Sequence, residues 1–326
     1  MHVLVVGGAG YIGSHMCKFL AEAGHAVTVF DNLSTGHREA VRWGSLVEGE
    51  LSDAAGLLET FRRGKFDAVM HFAAASIVGD SVRDPLRYYR NNFANVLTLL
   101  EVMRQCEVGQ FVFSSTAAVY GEPVQDYIDE QHPLNPINPY GASKLMVERA
   151  LADCARAYGL RAVALRYFNA AGADRSGLIG ESHHPETHLI PNLLRLAAGE
   201  DLQVRIFGDD YPTADGTCIR DYIHVEDLCA AHLLALDHIG RSASTEFQAL
   251  NLGNGTGYSV RQVVSAVEAV VGRKMNLGVA PRRSGDPVRL VADAAKARSA
   301  LGWLPAISAI EEIIETAWKW HRQPLY

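Results

Sequence analysis

A tyrosine and a lysine lie four residues apart in the segment NPYGASK, which spans residues 138–144. Pro139 suits the first turn of a helix, and the helical composition that follows ends at Gly159. Residues four apart share one face of a helix, so Tyr140 and Lys144 can reach a common point. An ammonium beside a phenol favours the phenolate and lowers its pKa. The pair is a candidate general base with its activator, although a surface tyrosine and a solvated lysine give the same spacing.

A glycine-rich loop follows the apolar run HVLVV near the start of the chain. Its spacing is G-x-x-G-x-x-G, through Gly7, Gly10 and Gly13, and a helical pattern begins within it. Glycines let a backbone turn tightly and approach a pyrophosphate, which then lies at a positive helix N-terminus. Asp31 ends the next apolar run, where a carboxylate accepts hydrogen bonds from both ribose hydroxyls of NAD and repels the 2′-phosphate of NADP. We therefore expect NAD as the cofactor, although a strand-ending aspartate also caps ordinary turns.

Composition excludes several classes of protein. The chain has 326 residues, is 48% hydrophobic and 21% charged, and carries a net charge of −7, which is ordinary for a globular protein. It has no basic run, no apolar stretch long enough to span a membrane and no signal-peptide pattern, so we expect neither nucleic acid nor membrane as a partner. The five cysteines form no C-x-x-C pair, which indicates reduced thiols in a cytoplasmic protein.

Histidines raise the question of a metal. His183, His184 and His188 follow an H-H-x-x-x-H spacing, which matches no established zinc pattern. We expect no metal there, and a loop that faces a nucleotide instead.

Short apolar runs alternate with helical patterns through the first half of the chain, including one long helix predicted over residues 85–105. Such alternation predicts an α/β fold with a Rossmann-type, doubly wound parallel sheet. After about residue 171 the loops become rich in Gly, Pro, His and Asp, which indicates a smaller C-terminal α/β domain. We expect a cofactor domain over residues 1–171, to which the chain returns around 221–250, and a substrate domain over 172–326.

Longer motifs carry a family resemblance. They are GGAGYIG at 7–13, DNLS at 31–34, SST at 114–116 with VYG at 119–121, the Tyr140/Lys144 pair, RYFN at 166–169, FGDDYPTADGTCIRDYIHVEDL at 207–228 and PRRSGD at 281–286. The first five resemble the extended short-chain dehydrogenase/reductases. The last two are similar to the UDP-glucose 4-epimerase family, and the likeness runs from residue 1 to about 320.

The resemblance implies a reaction. In that family Tyr140 would remove the proton of the sugar 4-hydroxyl, and Thr116 would hydrogen-bond the 4-oxygen. Lys144 would hold the nicotinamide ribose and, with the positive nicotinamide, depress the Tyr140 pKa. The sugar C4 hydride would pass to tightly held NAD, leave a 4-keto sugar bound through its UDP, and return to the opposite face. The resemblance also implies a homodimer.

The resemblance assigns ligand contacts as well. NAD contacts are expected at Gly7, Gly10, Tyr11, Ile12, Gly13, Asp31, Asn32, Leu33, Ser34, Thr35, Gly36, Glu50, Leu51, Phe72, Ala73, Ala74, Ser76, Asn91, Ser114, Tyr140, Lys144 and Phe168. UDP-sugar contacts are expected at Thr116, Tyr140, Tyr167, Asn169, His188, Leu189, Arg205, Ile206, Phe207, Arg220, Arg283, Ser284, Gly285, Asp286 and Leu290. Arginines such as Arg220 and Arg283 suit a pyrophosphate, although most arginines pair with surface carboxylates.

Departures from the family pattern refine these expectations. Glu50 replaces a common Asp near adenine, Ser76 replaces a Lys near the pyrophosphate, and Thr116 replaces a Ser while keeping the hydroxyl. Leu290 stands where a Tyr narrows the sugar pocket in glucose-only members. We hypothesise that the smaller Leu admits an N-acetyl group, unless another side chain fills the space.

Three alternatives bear on the assignment. A 4,6-dehydratase needs an acid and a base after Thr116, and Ala117 and Ala118 supply neither. A 4-epimerase of UDP-glucuronate or of a UDP-pentose stays open. A non-catalytic NAD-sensing regulator with the same fold is a further alternative. Such a regulator would not need Thr116, Tyr140 and Lys144, and this chain keeps all three.

Overall fold

The computed structural model describes residues 1–241, 246–283 and 286–326. Its strands are β1 His2–Val6, β2 Ala26–Asp31, β3 Ser45–Glu48, β4 Ala68–His71, β5 Gln110–Thr116, β6 Arg161–Tyr167, β7 Asn169–Ala171, β8 Arg205–Phe207, β9 Ile219–His224, β10 Gln248–Leu252, β11 Gly257–Ser259, β12 Gly278–Ala280 and β13 Arg289–Leu290.

The helices are α1 Tyr11–Glu22, α2 Ala54–Gly64, α3 Val78–Arg83, α4 Pro85–Tyr89, α5 Asn95–Gln105, α6 Pro139–Tyr158, α7 Leu189–Ala197, α8 Val225–Arg241, α9 Val260–Val271, α10 Ala295–Leu301 and α11 Ile310–Arg322. The single long helix predicted over 85–105 is interrupted, because a π-helical segment, Arg90–Ala94, separates α4 from α5. Among the described helices, none has both the length and the apolar character that crossing a bilayer requires.

A parallel sheet of seven strands forms the larger part of the molecule, in the order β10-β6-β5-β4-β1-β2-β3. Its central strands are buried on both faces, which explains their nearly continuous apolar sequences. In β1, Val3 and Val5 enter a core shared with α1 and α8, while Leu4 and Val6 enter a core shared with α2, α5 and α6. Helices on both faces of a parallel sheet confirm the predicted α/β, Rossmann-type class.

A second sheet of four strands organises the C-terminal part. Strand β9 is its centre and pairs with β7, β11 and β13, and a third apolar core gathers α7, α9 and α11. A separate pair joins β8 to β12. After β9 the chain runs through α8 and adds β10 to the edge of the large sheet beside β6. The domain boundaries at residues 171 and 172 stay a prediction.

A buried ion pair fastens α6 to the large sheet. Glu148 on α6 and Arg166 on β6 are both almost fully buried. Nε of Arg166 donates to the Glu148 carboxylate at 3.0 Å, and Nη2 donates to it at 2.5 Å. Removing one partner of such a pair leaves an uncompensated charge in the interior, which is strongly destabilising.

We therefore expect Glu148→Ala to lower the free energy of unfolding by about 3–5 kcal/mol. Chemical denaturation followed by circular dichroism measures this change. The matched control is Glu59→Ala, which breaks an exposed pair with Arg63 on α2 and should cost less than about 1 kcal/mol. Equal losses for the two variants would contradict a special role for the buried pair.

Candidate active site

The glycine loop joins β1 to α1 in a tightly packed turn. Gly7 has φ of 79°, in the left-handed region that favours glycine. A Cβ on Gly7 would lie 2.4 Å from the backbone nitrogen of Ala73, and a Cβ on Gly13 would lie 2.1 Å from the carbonyl oxygen of Gly7. Both glycines are therefore required by the fold of the loop itself.

Gly10, unlike Gly7 and Gly13, has room for a side chain, so it shows whether the loop suits a dinucleotide. It caps the N-terminus of α1, and a Cβ there would meet only the Gly7 oxygen, at an ordinary 3.5 Å. The packing of the chain therefore does not demand glycine at this position, but close approach of a pyrophosphate to the helix N-terminus does. The residues present fit the diphosphate of NAD.

Asp31 lies beside this loop at the end of β2. Its Oδ2 accepts from the backbone nitrogen of Ala9 at 2.9 Å, and its Oδ1 accepts from that of Leu33 at 2.9 Å. Burial raises the pKa of Asp31, and these two hydrogen bonds oppose the shift. The carboxylate thus ties the loop after β2 to the glycine loop, a contact that the sequence alone did not reveal.

The other predicted NAD contacts lie at the carboxyl edge of the same sheet or on segments that border it. They are Tyr11 and Ile12 on α1; Asn32, Leu33, Ser34, Thr35 and Gly36 after β2; Glu50 and Leu51 after β3; Phe72, Ala73, Ala74 and Ser76 after β4; Asn91 in the π-helical segment; Ser114 on β5; and Phe168 after β6. Parallel strands bring their carboxyl ends to one edge, which explains why residues so distant in sequence meet there.

Asn92 supports this edge, and the sequence analysis missed it. Its side chain is buried, accepts from the backbone nitrogen of Ala75 at 2.8 Å and donates to the oxygen of Ala75 at 2.9 Å. It also donates to Oγ of Ser143 on α6 at 3.2 Å. Asn92 therefore connects the segment after β4 to the helix that carries Tyr140. In the sequence, the only sign of this role is that Asn92 follows Asn91, a predicted NAD contact.

Helix α6 begins as the sequence predicts. Asn138 caps it by accepting from the backbone nitrogen of Gly141 at 2.9 Å, Pro139 occupies the first position, and Gly159 ends it in the left-handed conformation. Tyr140 and Lys144 thus lie one turn apart in the first half of the helix.

Tyr140 is half-buried, and the hydroxyl of Thr116, which ends β5, lies near its phenol. Burial raises the pKa of Tyr140, and the nearby hydroxyl of Thr116 opposes the shift. This direction is opposite to the one expected from the lysine spacing. The physical reason is that desolvation penalises the phenolate, and Lys144 directs its ammonium elsewhere.

Lys144 is almost fully buried and donates from Nζ to the backbone oxygen of Ser114 at 2.8 Å. The ammonium also lies 4.7 Å from the ring centroid of Phe113. Burial lowers the pKa of Lys144 to about 7, and the carboxylate of Glu148 opposes the shift. The buried lysine therefore gives up its proton more readily than an exposed lysine does.

Polar side chains beneath the site form a buried network that sequence reasoning missed. Besides Arg166, Glu148 accepts from Oγ of Ser115 at 2.5 Å. Nη1 of Arg166 donates to the hydroxyl of Tyr120 at 2.9 Å, and that hydroxyl donates to Oδ1 of Asn251 at 2.6 Å. Glu148 lies four residues after Lys144 on α6. The helical period therefore predicts that Glu148 shares a face with Tyr140 and Lys144. The other members meet only through the sheet.

Several predicted substrate contacts gather on the β9 sheet. Asn169 of β7 pairs with Tyr222, and Leu290 of β13 pairs with Arg220. Nη2 of Arg220 donates to Oδ1 of Asp286 at 2.6 Å. Arg220 is thus already paired with a carboxylate from the PRRSGD segment.

Other predicted substrate contacts lie elsewhere. Arg205, Ile206 and Phe207 form β8, and the guanidinium of Arg283 lies 3.9 Å from the ring centroid of Phe207. The hydroxyl of Tyr167 hydrogen-bonds to Oγ of Ser114. Ser284 and Gly285 lie outside the described residues.

His188 and Leu189 lie at the start of α7. Leu189 is half-buried against the C-terminal core. Nδ1 of His188 lies 2.9 Å from Oε1 of Glu181 and 2.8 Å from Oε1 of Glu186. The imidazole is thus held by two carboxylates that the sequence analysis did not single out.

The chain is similar to known proteins over nearly its whole length. Residues 3–253 match the NAD dependent epimerase/dehydratase family. The chain is 50% identical over 323 residues to a UDP-glucose 4-epimerase of Halalkalibacterium halodurans. That alignment spans 99% of this chain and 96% of the relative. A crystal structure of UDP-glucose 4-epimerase from Brucella ovis in complex with NAD is 51% identical, covers 97% of each chain and gives a TM-score of 0.92. The UDP-Glc/GlcNAc 4-epimerase of Campylobacter jejuni is 44% identical, covers 99% of each chain and gives a TM-score of 0.86.

These matches span nearly the whole chain. The protein therefore belongs to the NAD dependent epimerase/dehydratase family.

We expect Gly13→Ala to abolish retention of NAD, because its Cβ would collide with the backbone of Gly7 and force the loop apart. Nucleotide released by denaturing the purified protein, measured by ultraviolet absorbance, reports how much was bound. Gly79→Ala on α3 is the matched control, since a Cβ there meets nothing within 4 Å and should leave retention unchanged. Wild-type retention in Gly13→Ala would refute the assignment of this loop.

Proposed function

We propose that the protein interconverts UDP-glucose and UDP-galactose by inverting the sugar at C4, with tightly bound NAD as cofactor. One observation carries the proposal. Tyr140 and Lys144 lie one turn apart on α6, and the hydroxyl of Thr116 at the end of β5 lies near the Tyr140 phenol. The chain is also half identical, over nearly its full length, to UDP-glucose 4-epimerases.

The cofactor is assigned to the carboxyl edge of the large sheet. Gly7, Gly10 and Gly13 would hold the diphosphate, Asp31 the adenosine ribose, and Lys144 the nicotinamide ribose. When bound, NAD supplies the acceptor, and then the donor, for the hydride on C4 of the sugar. Among the described residues, no side chain replaces that function, so the protein itself is left with binding, orientation and proton transfer.

Proton transfer falls to Tyr140. Its phenolate would accept the proton of the sugar 4-hydroxyl and would later return that proton to the 4-oxygen in the same cycle. Thr116, whose hydroxyl lies near the Tyr140 phenol, would orient the 4-oxygen. Burial makes the phenolate costly, so a positive charge near Tyr140 is required for it to act as a base at neutral pH. We assign this charge to Lys144 together with the positive nicotinamide of bound NAD, because the ammonium of Lys144 by itself is directed to the backbone oxygen of Ser114.

The C-terminal sheets would hold the UDP group. Arg220 and Arg283 offer two guanidinium groups for the diphosphate, and charge-assisted hydrogen bonds of this kind are among the strongest in proteins. Arg220 is only slightly exposed and is oriented by Asp286, which fixes its direction before a ligand arrives. Asn169 and Leu290 flank it on the same sheet.

We also propose that the protein works as a homodimer in the cytoplasm. Exposed apolar residues on the neighbouring helices α3, α4 and α5 support a partner surface: Val78, Val82, Leu86 and Leu97. All five cysteines are free thiols, which suits a reducing compartment.

We expect the purified protein to convert UDP-galactose to UDP-glucose with no added nicotinamide cofactor. Tyr140→Phe removes the proton acceptor and should lower kcat by about 10²–10⁴-fold. The matched control is Tyr158→Phe at the exposed end of the same helix, which should keep the wild-type rate. Absence of turnover in the wild type, even with NAD added, would refute the galactose and glucose assignment.

A second candidate substrate follows from Leu290. This side chain is half-buried and packs beside Phe168 against a small core near Thr116. A leucine there leaves more room than a tyrosine, and the Campylobacter jejuni relative is named for both UDP-Glc and GlcNAc. We propose that UDP-N-acetylglucosamine is also accepted.

Leu290→Tyr should reduce conversion of UDP-N-acetylglucosamine by about 10-fold or more while sparing UDP-galactose, because the added bulk occupies the space of the N-acetyl group. Steady-state kcat/KM for both sugars measures the ratio. Leu290→Met keeps a similar volume and should preserve both activities. A wild type with no N-acetyl activity would end the hypothesis.

A further inference from the structure

The segment of residues 31–37, after β2, carries predicted NAD contacts but has few anchors of its own. Its exposed side chains near the cofactor edge are Asn32, Ser34 and Thr35. At its start, Asp31 accepts from the backbone nitrogen of Ala9 at 2.9 Å, and at its end the backbone nitrogen of His37 donates to the oxygen of Ala9 at 2.9 Å. An exposed segment of this kind has conformational freedom that a ligand must remove, unless other contacts remove it first.

His37 ties this segment to the part of the chain that follows β7. Its Nε2 lies 3.0 Å from the backbone oxygen of Ser182, and the tautomer with hydrogen on Nε2 donates to that oxygen. The ring of Tyr326, which follows α11, packs against the His37 ring with centroids 4.9 Å apart and planes tilted by 32°. Tyr326 therefore supports the end of the segment from outside.

Tyr326 is itself held by residues that do not belong to the cofactor segment. Its hydroxyl donates to the backbone oxygen of Gly180 at 3.2 Å and accepts from the backbone nitrogen of Gly180 at 3.2 Å. Its ring also packs against Trp320 on α11, with centroids 4.8 Å apart. A Cβ on Gly180 would lie 2.3 Å from the Trp320 ring, so no space is left between them. Tyr326 is thus fixed on both sides.

The neighbour of Tyr326 has a different environment. Leu325 is 52% exposed, whereas Tyr326 is half-buried. Burial raises the pKa of Tyr326, so its phenol stays protonated at neutral pH and keeps its hydrogen for Gly180. The chain therefore leaves an aliphatic side chain in water and turns the aromatic one towards His37.

We propose that Tyr326 is a positioning residue for NAD, which holds His37 and thereby the segment of residues 31–37 in the conformation that binds the cofactor. Preorganisation of this kind strengthens binding, because less conformational freedom is lost when the ligand arrives. Tyr326 itself contacts no reacting atom. The inference deepens the proposed function and rests on its assignment of NAD to this segment.

The test uses the full-length protein loaded with NAD. Tyr326→Ala should speed the exchange of bound NAD for isotopically labelled NAD by about 10-fold, because an aromatic contact and two hydrogen bonds are lost. Mass spectrometry of the retained nucleotide follows the exchange. Tyr326→Phe keeps the ring against His37 and should exchange more slowly than Tyr326→Ala. The matched control is Leu325→Ala, which should exchange at the wild-type rate.

A second variant examines the contact from its other side. His37→Ala should speed NAD exchange by a factor similar to that of Tyr326→Ala. The variant with both substitutions should be little faster than either single variant, because residues that act through one shared contact do not contribute additively.

Two further measurements separate positioning from a general loss of stability. Hydrogen–deuterium exchange in Tyr326→Ala should accelerate in residues 31–37 and stay at the wild-type rate in α6. In activity assays, Tyr326→Ala should raise the NAD concentration needed for half-maximal conversion of UDP-galactose by a larger factor than it lowers kcat. Hydrogen exchange that accelerates equally throughout the molecule would overturn the proposal.

NAD exchange at the wild-type rate in folded Tyr326→Ala would also overturn it. Gly13→Ala distinguishes this failure from a failure of the cofactor assignment. Loss of NAD from Gly13→Ala, together with wild-type exchange in Tyr326→Ala, would reject only the role of Tyr326. Retention of NAD by Gly13→Ala would reject the cofactor assignment and the role of Tyr326 with it.

Discussion

The ion pair between Glu148 and Arg166 is the interaction on which the rest of the site depends. It joins α6 to β6 deep inside the protein, and Ser115 on β5 donates to the same carboxylate. Charges so buried are tolerated only when their hydrogen bonds are satisfied, so the helix cannot slide or rotate without leaving one unpaired. Lys144 and Tyr140 lie one and two turns before Glu148, respectively, and take their positions from it.

The burial that fixes the positions of Tyr140 and Lys144 also shifts their pKa values. The same desolvation raises the pKa of Tyr140 and lowers that of Lys144 to about 7, so both groups are pushed towards neutrality. His71, on β4, shows how strong this effect is. Burial lowers its pKa to about 3, and the charge of Lys144 adds to the shift. A phenolate can therefore form only where a compensating positive charge is brought to it.

Sequence reasoning succeeded where a short segment contains its own physical cause. The parallel sheet follows from apolar strands that alternate with amphipathic helices. The limits of α6 follow from Asn138, Pro139 and Gly159. It failed where several distant segments must cooperate. The helix expected over 85–105 contains a π-helical turn, and the ammonium of Lys144 donates to the backbone oxygen of Ser114 on β5 rather than pointing at Tyr140.

The sequence by itself therefore determined the α/β class, the glycine loop and the Tyr140–Lys144 face, because each depends on neighbours within about one helical turn or one strand. Only the tertiary structure decided which polar groups are buried together. The carboxylate of Asp31 lies against the glycine loop, and Arg220 pairs with Asp286, 66 residues further along the chain. Such contacts arise when strands and loops distant in sequence pack at one edge of a sheet, and no local pattern encodes that meeting.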